Sequence, residues 1–151
     1  MKIWIDADAC PKTVKEIIFR AVERLGIPAM VVANQVIQIP DVSLISLIVV
    51  SKNFDAADDY IAASVSEMDL VITADVPLAS RVVFAGALAI DPRGEIYDKE
   101  NIGERLSARN LMNELRSGGL VQGGPREMEA IDTHKFASAL DRELSRRTKN
   151  E

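Results

Sequence analysis

The sequence has little cysteine and little histidine, the side chains from which disulfide frameworks and most zinc sites are built. Cys10 is the only cysteine, which excludes an internal disulfide framework and makes a reducing cytoplasm the expected compartment. His134 is the only histidine, so a histidine-rich zinc site is excluded as well. We expect His134 to lie on the surface and Cys10 to be a small packing residue at the start of a helix.

Long apolar runs are also missing. The longest candidate, Leu44 to Val50, has the length of a strand, whereas a membrane-spanning helix needs about 20 apolar residues. The N-terminal stretch carries charges at Lys2 and Asp6, which come too early and leave too little apolar length for a secretion signal. We therefore expect no membrane segment in this chain.

Positive charge is not in excess, since 18 lysines and arginines stand against 23 aspartates and glutamates, for a net charge of −5. Proteins that bind duplex nucleic acid tightly are usually basic, so this balance argues mildly against a DNA-binding module. A phosphate-bearing substrate would need local cations or metal ions to screen the acidic groups. A glycine-rich nucleotide loop is missing too, because Gly123-Gly124-Pro125 lacks the lysine of a P-loop and its strand-loop-helix context.

The chain has an ordinary globular composition, with 48% hydrophobic and 27% charged residues, and a length that suits one domain. Short β-branched runs alternate with stretches of helical periodicity. The five runs expected to form strands are Lys2 to Asp6, Ala29 to Ala33, Leu44 to Val50, Asp69 to Ala74 and Ala87 to Asp91. Continuous apolar strands separated by helices predict an α/β fold, with a mostly parallel sheet and helices on both faces.

The last third of the sequence has helical periodicity only. Helices are predicted from Glu104 to Arg116 and from about Asp132 onward, joined by a glycine-rich link from Gly118 to Pro125. We interpret this link as a plain connector, with a mobile flap over a site as the alternative. The sequence thus predicts a single domain over 1–151, with the sheet core over about 1–95 and a helical C-terminal segment over about 96–151.

Aspartates follow four of the predicted strands. Asp6 and Asp8 follow the first strand, Asp75 follows the fourth, Asp91 ends the fifth, and a group from 55 to 59 follows the third. Ligands of open α/β sheets bind at the carboxyl ends of the strands. Carboxylates gathered there repel each other unless a cation compensates, and oxygen ligands alone suit Mg²⁺ or Mn²⁺. The set therefore predicts a divalent metal site.

Each aspartate also has a purely structural interpretation. Asp6 or Asp8 could cap the helix that starts near Pro11, and Asp75 could cap the helix that follows it. The 55–58 segment begins and ends with aspartate, the spacing of a capping box, and Asp91 before a proline is ordinary turn chemistry. For any single residue the structural interpretation is favoured; the convergence of several favours the metal site.

Six motifs occur in the order of a known family. They are Trp4 through Pro11, Val32-Ala33-Asn34, Phe54 through Asp58, Leu70 through Ala79, Pro92-Arg93-Gly94 and Gly123-Gly124-Pro125. Together they resemble the YaiI/YqxD family of bacterial proteins over nearly the whole chain. That family is grouped with PIN-like domains, a superfamily of metal-dependent nucleases. The resemblance implies acids after the first strand, early in a central helix and after the fourth strand, which here are Asp6 with Asp8, Asp58 and Asp75.

The leading hypothesis is a metal-dependent nuclease that acts on RNA or another single-stranded nucleic acid. Asp6, Asp58 and Asp75 would hold one or two Mg²⁺ or Mn²⁺ ions, with Asp8 bound directly or through water. The metal would activate a water nucleophile and stabilise charge on the leaving oxygen. All four aspartates are therefore candidate catalytic residues.

Two arginines beside the motif turns, Arg93 and Arg109, are the candidate contacts to the flanking phosphates.

One alternative is an aspartyl-phosphate phosphatase, which an Asp-x-Asp after the first strand also fits. That alternative is weakened by Cys10, which stands where such enzymes usually carry Thr or Val. The other alternative is a module of the same fold that binds nucleic acid or protein without chemistry.

Overall fold

The computed structural model describes residues 1–124 and 126–149, and at its centre lies one six-stranded sheet. The strands are β1 (Ile3–Asp6), β2 (Ala29–Ala33), β3 (Ile45–Val49), β4 (Leu70–Ile72), β5 (Leu88–Ile90) and β6 (Ile96–Tyr97). Their order across the sheet is β3-β2-β1-β4-β5-β6. The first five are parallel and β6 runs antiparallel to β5, which confirms the predicted mostly parallel sheet.

Five helices cover both faces of this sheet. They are α1 (Lys12–Leu25), α2 (Ala56–Ser64), α3 (Val76–Phe84), α4 (Ile102–Ser117) and α5 (Ala130–Lys149). Side chains of α1 and α5 pack on one face, and those of α2, α3 and the start of α4 pack on the other. Within the described ranges no helix combines the length and the apolar character that crossing a membrane requires.

The central strands are buried on both faces, which explains their continuous apolar runs. In β1 the side chains of Ile3 and Ile5 join the core under α1 and α5, whereas Trp4 joins the opposite core with Ile61 of α2. Phe136 of α5 is 0% exposed and packs in the first of these cores. The period-2 alternation of a strand thus feeds two cores from one apolar sequence.

Two features of the sheet differ from the prediction. The strand β3 lies at the edge, so Ser46 and Val49 are exposed rather than buried. The two-residue strand β6 was not predicted, and it carries the sheet past the expected boundary near residue 95. The helices α4 and α5 each begin about two residues earlier than the sequence indicated.

The order of the strands determines where a ligand can bind. The chain runs outward from β1 through β2 to β3, and then returns through α2 to form β4 on the other side of β1. The carboxyl ends of β1 and β4 are therefore neighbours at the point where the order reverses. In open α/β sheets, this reversal opens the crevice in which ligands bind.

The C-terminal segment is held to the sheet by a buried carboxylate. Asp132, near the start of α5, accepts two hydrogen bonds from the Arg126 guanidinium at 2.6 and 2.7 Å and one from the Glu129 backbone N–H at 3.0 Å. Its other charged neighbour is Arg93, whose Nη1 lies 3.4 Å away. The hydrogen bonds from Arg126 hold the pKa of Asp132 well below its usual range. This carboxylate therefore anchors the segment that precedes α5.

Asp69 is a second buried carboxylate with a structural role. It lies at the amino end of β4 and accepts hydrogen bonds from the Lys2 backbone N–H at 3.0 Å, from Trp4 Nε1 at 3.0 Å and from the Ser66 backbone N–H at 2.9 Å. These bonds join β1 to the chain that enters β4. Because Asp69 lies at the edge opposite the carboxyl ends, it does not belong to the predicted acidic set.

Candidate functional site

Asp6, the last residue of β1, lies at the reversal of strand order and is only 5% exposed. Its Oδ2 accepts a hydrogen bond from Thr73 Oγ1 at 2.8 Å. Burial raises the pKa of Asp6, the hydrogen bond from Thr73 lowers it, and the negative charges of Asp75 and Asp8 raise it again. A carboxylate in this position is stabilised by any cation that comes within reach.

Thr73 connects the two strand ends at the reversal. The same Oγ1 that donates to Asp6 accepts a hydrogen bond from the Asp75 backbone N–H at 3.0 Å. Thr73 is fully buried. No role was predicted for it, although it lies two positions before Asp75 in the motif Leu70 through Ala79. A hydroxyl residue at that spacing from an acid is the signal that could have indicated its role.

The prediction that Asp75 caps the following helix is confirmed, and Asp75 also lies with the other aspartates of the site. Its Oδ1 accepts a hydrogen bond from the Leu78 backbone N–H at 3.0 Å, and Pro77 occupies the first turn of α3, so Asp75 is the N-cap of this helix. The Asp75 carboxyl lies near enough to Asp6 and Asp58 for its charge to raise the pKa of both. Capping and membership of an acidic group are therefore compatible.

Asp58, in the first turn of α2, completes the group. Burial raises its pKa to about 7, with further contributions from the charges of Asp75, Asp6 and Asp55 and from a hydrogen bond with the Asp75 carboxyl. The predicted capping box is wrong: Asp55 is the N-cap residue of α2, but it has a positive φ of 69° and its side chain makes no capping hydrogen bond. The elements β1, β4 and α2 thus bring Asp6, Asp75 and Asp58 together.

Asp8 lies on the short 3-10 turn (Ala7–Ala9) that follows β1, and it is exposed. Its Oδ2 accepts a hydrogen bond from the Asn34 backbone N–H at 3.2 Å, so it connects this turn to the chain that leaves β2. The predicted cap of α1 is wrong for both Asp6 and Asp8, because Pro11 is the N-cap residue and no side chain bonds there.

Two cavities open beside these carboxyl groups. One, of about 240 Å³, is lined by Asp6, Asp8, Asn34 and residues 51–58. The other, of about 330 Å³, is lined by Asp75 with Arg109 and the neighbouring residues Ala9, Ala74, Val76 and Pro77. A larger hollow of about 470 Å³ between α1 and α5 contains none of the four predicted aspartates. Ligand-sized space is therefore available where the sequence predicted chemistry.

The donor set suits a hard divalent cation that keeps much of its water. Within the part of the chain that the structure describes, no three histidine, cysteine, aspartate or glutamate side chains form a group that could hold a metal ion as they are arranged here. Mg²⁺ is usually bound through one or two carboxylates and fills its remaining positions with water and substrate phosphate oxygens. Asp6, Asp58 and Asp75 carry such oxygens. Burial is the main cause of the raised pKa of Asp6 and Asp58, and the negative charges of neighbouring aspartates raise both pKa values further, an effect that a cation would relieve.

The two predicted phosphate contacts have different surroundings. Arg109, on α4, is exposed and lines the cavity beside Asp75. The guanidinium of Arg93 instead bonds to Asp132 at 3.4 Å and to the Arg126 backbone carbonyl. Asp91 lies with Arg93 rather than with the other aspartates, and its Oδ1 accepts a hydrogen bond from the Arg93 backbone N–H at 2.7 Å, which confirms its turn role.

The predictions for the single cysteine and the single histidine are confirmed. Cys10 is 7% exposed and packs in the core under α1, where burial raises its pKa to about 12. A thiol with that pKa stays protonated and unreactive at neutral pH. His134 is exposed on α5. Neither residue takes part in the acidic site.

The raised pKa of Asp58 predicts an unusual dependence of stability on pH. Between its ordinary value of 3.8 and about 7, the folded state of the metal-free protein keeps a proton that the unfolded state has lost. The free energy of unfolding must therefore fall as the pH rises through this window. Asp58→Asn removes the group that titrates. The free energy of unfolding of this variant, relative to wild type, should therefore rise by about 1–2 kcal/mol between pH 4 and pH 8. The side chain is partly exposed, so solvent screening keeps this value below the full effect of the pKa shift.

Urea unfolding in EDTA at both pH values measures this gain. Asp59→Asn is the matched control for loss of an acidic side chain alone, because Asp59 is the next residue of α2 and is exposed, in an ion pair with Arg81 at 2.8 Å. A stability difference between Asp58→Asn and wild type that is the same at pH 4 and pH 8 would contradict the prediction.

Comparisons with known proteins agree with the resemblance seen in the sequence. A family model described as "Uncharacterized BCR, YaiI/YqxD family" matches residues 4–146. A "UPF0178 protein" of Geobacter metallireducens is 60% identical over 146 residues, which cover 97% of this chain and 94% of the relative. Similar relatives are those of Trichlorobacter lovleyi, 58% identical with 97% and 95% covered, and of a Marinomonas species, 53% identical with 99% and 100% covered. No solved structure gives a significant match.

Proposed function

The chain belongs to the YaiI/YqxD family, and we propose that it is a metal-dependent nuclease that hydrolyses RNA or another single-stranded nucleic acid. The observation that carries the proposal is the coupling of Asp6, Asp58 and Asp75 at the reversal of strand order. The cap of α3 and the hydrogen bond from Thr73 account for Asp75 and Asp6 one at a time, but neither requires three carboxyl groups that repel each other to lie together, and a positively charged ligand would stabilise that arrangement. The grouping with PIN-like nucleases implied by the resemblance remains a prediction that agrees with this proposal.

In this proposal Asp6, Asp58 and Asp75 hold one or two Mg²⁺ or Mn²⁺ ions. A bound ion of this kind stabilises negative charge on phosphoryl and leaving oxygens and lowers the pKa of water. Thr73 is a positioning residue, because its hydroxyl fixes Asp6 Oδ2 at 2.8 Å while it accepts the Asp75 backbone N–H. The cap of α3 likewise fixes the direction of the Asp75 carboxyl through Oδ1.

The remaining predicted residues, Asp8, Arg109 and Arg93, have different roles in this proposal. Asp8 is exposed in the cavity that Asp6 and Asp58 line, where it can orient the attacking water or reach a cation through water. Arg109 lies beside Asp75 and is placed to contact a flanking phosphate. Arg93 can do so only by leaving Asp132 and the Arg126 carbonyl. We therefore rank Arg109 above Arg93 as a phosphate contact.

The acidic charge of the chain limits the substrates that suit this site. With a net charge of −5, the protein has no general attraction for a phosphate backbone. Binding must therefore depend on cations at the aspartates and on contacts with individual nucleotides. Single strands offer unpaired bases for such contacts, whereas a duplex does not. A cytoplasmic location belongs to the same proposal, because Cys10 is the one cysteine in the sequence and the chain has no disulfide framework of the kind common in secreted proteins.

A module that binds single strands without cleaving them is the second candidate. It is favoured by the absence, within the described residues, of a group of three side chains already arranged for a metal ion. It is also favoured by the structural hydrogen bonds of Asp75 and Asp8, which account for both residues without chemistry. In such a binding module the cation would stabilise the fold, and the nucleic acid would be bound and released without cleavage.

Cleavage of a labelled single-stranded RNA by wild-type protein, with Mn²⁺ and then with EDTA, separates the two candidates. The proposal predicts that shorter products accumulate with Mn²⁺ and that none form with EDTA. Asp59→Asn should cleave like wild type, because Asp59 is exposed and pairs with Arg81. Binding of intact RNA that persists without any product would instead favour the binding module.

A further inference from the structure

Phe54 is 94% exposed, more than any other large hydrophobic side chain in the described ranges. It belongs to neither hydrophobic core. An aromatic ring that stays in water gives up the stabilisation that burial would provide, so the fold draws no benefit from it. The exposed Phe54 ring is therefore available to contact a ligand.

The position of Phe54 connects it to the acidic site. It lines the same cavity of about 240 Å³ as Asp6, Asp8 and Asp58, and it directly precedes Asp55, the N-cap residue of α2. Asp58 follows one helical turn later on the same helix. A ligand that rests on the Phe54 ring therefore has its adjoining groups within reach of the aspartates.

The residues around Phe54 are polar and include a cation. Ser51, Lys52 and Asn53 precede it, are exposed and line the same cavity, and Asn34 faces them from the end of β2. A protein-docking surface would require a contiguous apolar patch, and these neighbours interrupt one. An aromatic ring beside an amide and an ammonium group is the combination that holds a nucleotide by its base and its phosphate.

We propose that Phe54 is a stacking platform for one unpaired base of a single-stranded nucleic acid, with Lys52 at the phosphate of that nucleotide. Stacking fixes the nucleotide at the rim and places the next phosphodiester bond over Asp6 and Asp58. Every base has an aromatic face, so the platform accepts any sequence but requires a base that is not paired. The inference deepens the proposed function, on which it rests for the identity of the ligand.

The test compares short oligoadenylate RNA with a chain of the same length that lacks its bases, by fluorescence anisotropy with the RNA shown to be intact. The buffer contains Ca²⁺, a divalent cation that also takes oxygen ligands, in place of the Mg²⁺ or Mn²⁺ of the proposed reaction. Phe54→Ala should weaken binding of oligoadenylate by about 5- to 100-fold and leave binding of the base-free chain within about 2-fold. Phe84→Ala is the matched control: Phe84 is 85% exposed and ends α3, which leads into the amino end of β5 at the opposite edge of the sheet. It should bind both ligands like wild type.

The inference is overturned if Phe54→Ala binds oligoadenylate like wild type, or loses equal affinity for both ligands. Cleavage measured on the same proteins separates this outcome from failure of the nuclease proposal. Binding that depends on Phe54 without any cleavage in Mn²⁺ keeps the stacking platform and rejects the nuclease. Cleavage by wild type that is unchanged in Phe54→Ala rejects the platform and keeps the nuclease.

Discussion

Asp6→Asn is expected to lower RNA cleavage by about 100-fold or more, the scale at which removal of one group that stabilises transition-state charge acts. Asp6 is buried at the end of β1, where burial and the charges of Asp75 and Asp8 raise its pKa against the hydrogen bond from Thr73. The amide of asparagine has nearly the same shape as the carboxylate but brings no negative charge to a cation. Its oxygen can still accept the hydrogen bond from Thr73, so the local fold should persist.

The measurement is kcat/KM for a labelled RNA in Mn²⁺, together with a circular dichroism spectrum of each variant. Thr73→Val removes only the hydroxyl that orients Asp6, and it should cost about 10- to 100-fold, the range typical of residues that orient metal ligands. Asp59→Asn should keep wild-type activity. If Asp6→Asn cleaves as fast as wild type, the activity does not arise at this site.

Gly94→Ala is expected to destabilise the protein by about 2–5 kcal/mol, the largest effect we predict on stability. Gly94 lies in the turn between β5 and β6 with φ of +92°. An added Cβ would lie 2.6 Å from the Lys135 carbonyl carbon and 2.8 Å from the Phe136 backbone nitrogen. Both atoms belong to the backbone of α5, so the clash is relieved only if the helix or the β5–β6 turn moves, which disturbs the packing of the buried Phe136 ring.

Gly26→Ala is the matched control. Gly26 also has a positive φ of +68°, but a Cβ added there would have no contact within 4 Å. Its cost should be the backbone penalty alone, about 1 kcal/mol. Urea unfolding of the two variants beside wild type gives both values. Equal losses would mean that α5 does not pack on the β5–β6 turn as closely as the structure indicates.

The central strands could be predicted because burial on both faces leaves a continuous apolar run in the sequence. The strand β6 could not, since Ile96 and Tyr97 are too few residues to show a period. The exposure of Val49 could not be predicted either. Its strand is as apolar as the buried ones, and its edge position follows only from the order of the strands. Local composition therefore indicates that a strand exists but not where it lies in the sheet.

In the acidic site, too, some features could be predicted from the sequence and others could not. The sequence placed aspartates at strand ends, and Asp75 could be recognised as a cap because its partner Leu78 follows only three positions later. The bond between Thr73 and Asp6 spans 67 residues and exists only because β1 and β4 are neighbours. The capping box at Asp55 failed because that residue has a positive φ, which no local pattern predicted. Local spacing therefore predicted one cap correctly and another wrongly, and it gave no indication of the bond across strands.

The most direct test of the central claim is the melting temperature of metal-stripped wild-type protein and of Asp6→Asn during titration with Mn²⁺. A cation that binds only the folded state stabilises it by about 2.7 kcal/mol at a hundred times its Kd. We predict a saturable rise for wild type, little or no rise for Asp6→Asn, and a metal-free Asp6→Asn that is no less stable than wild type because a repelling charge is gone. Equal rises in the two proteins, or no rise in wild type, would contradict a cation site at these aspartates.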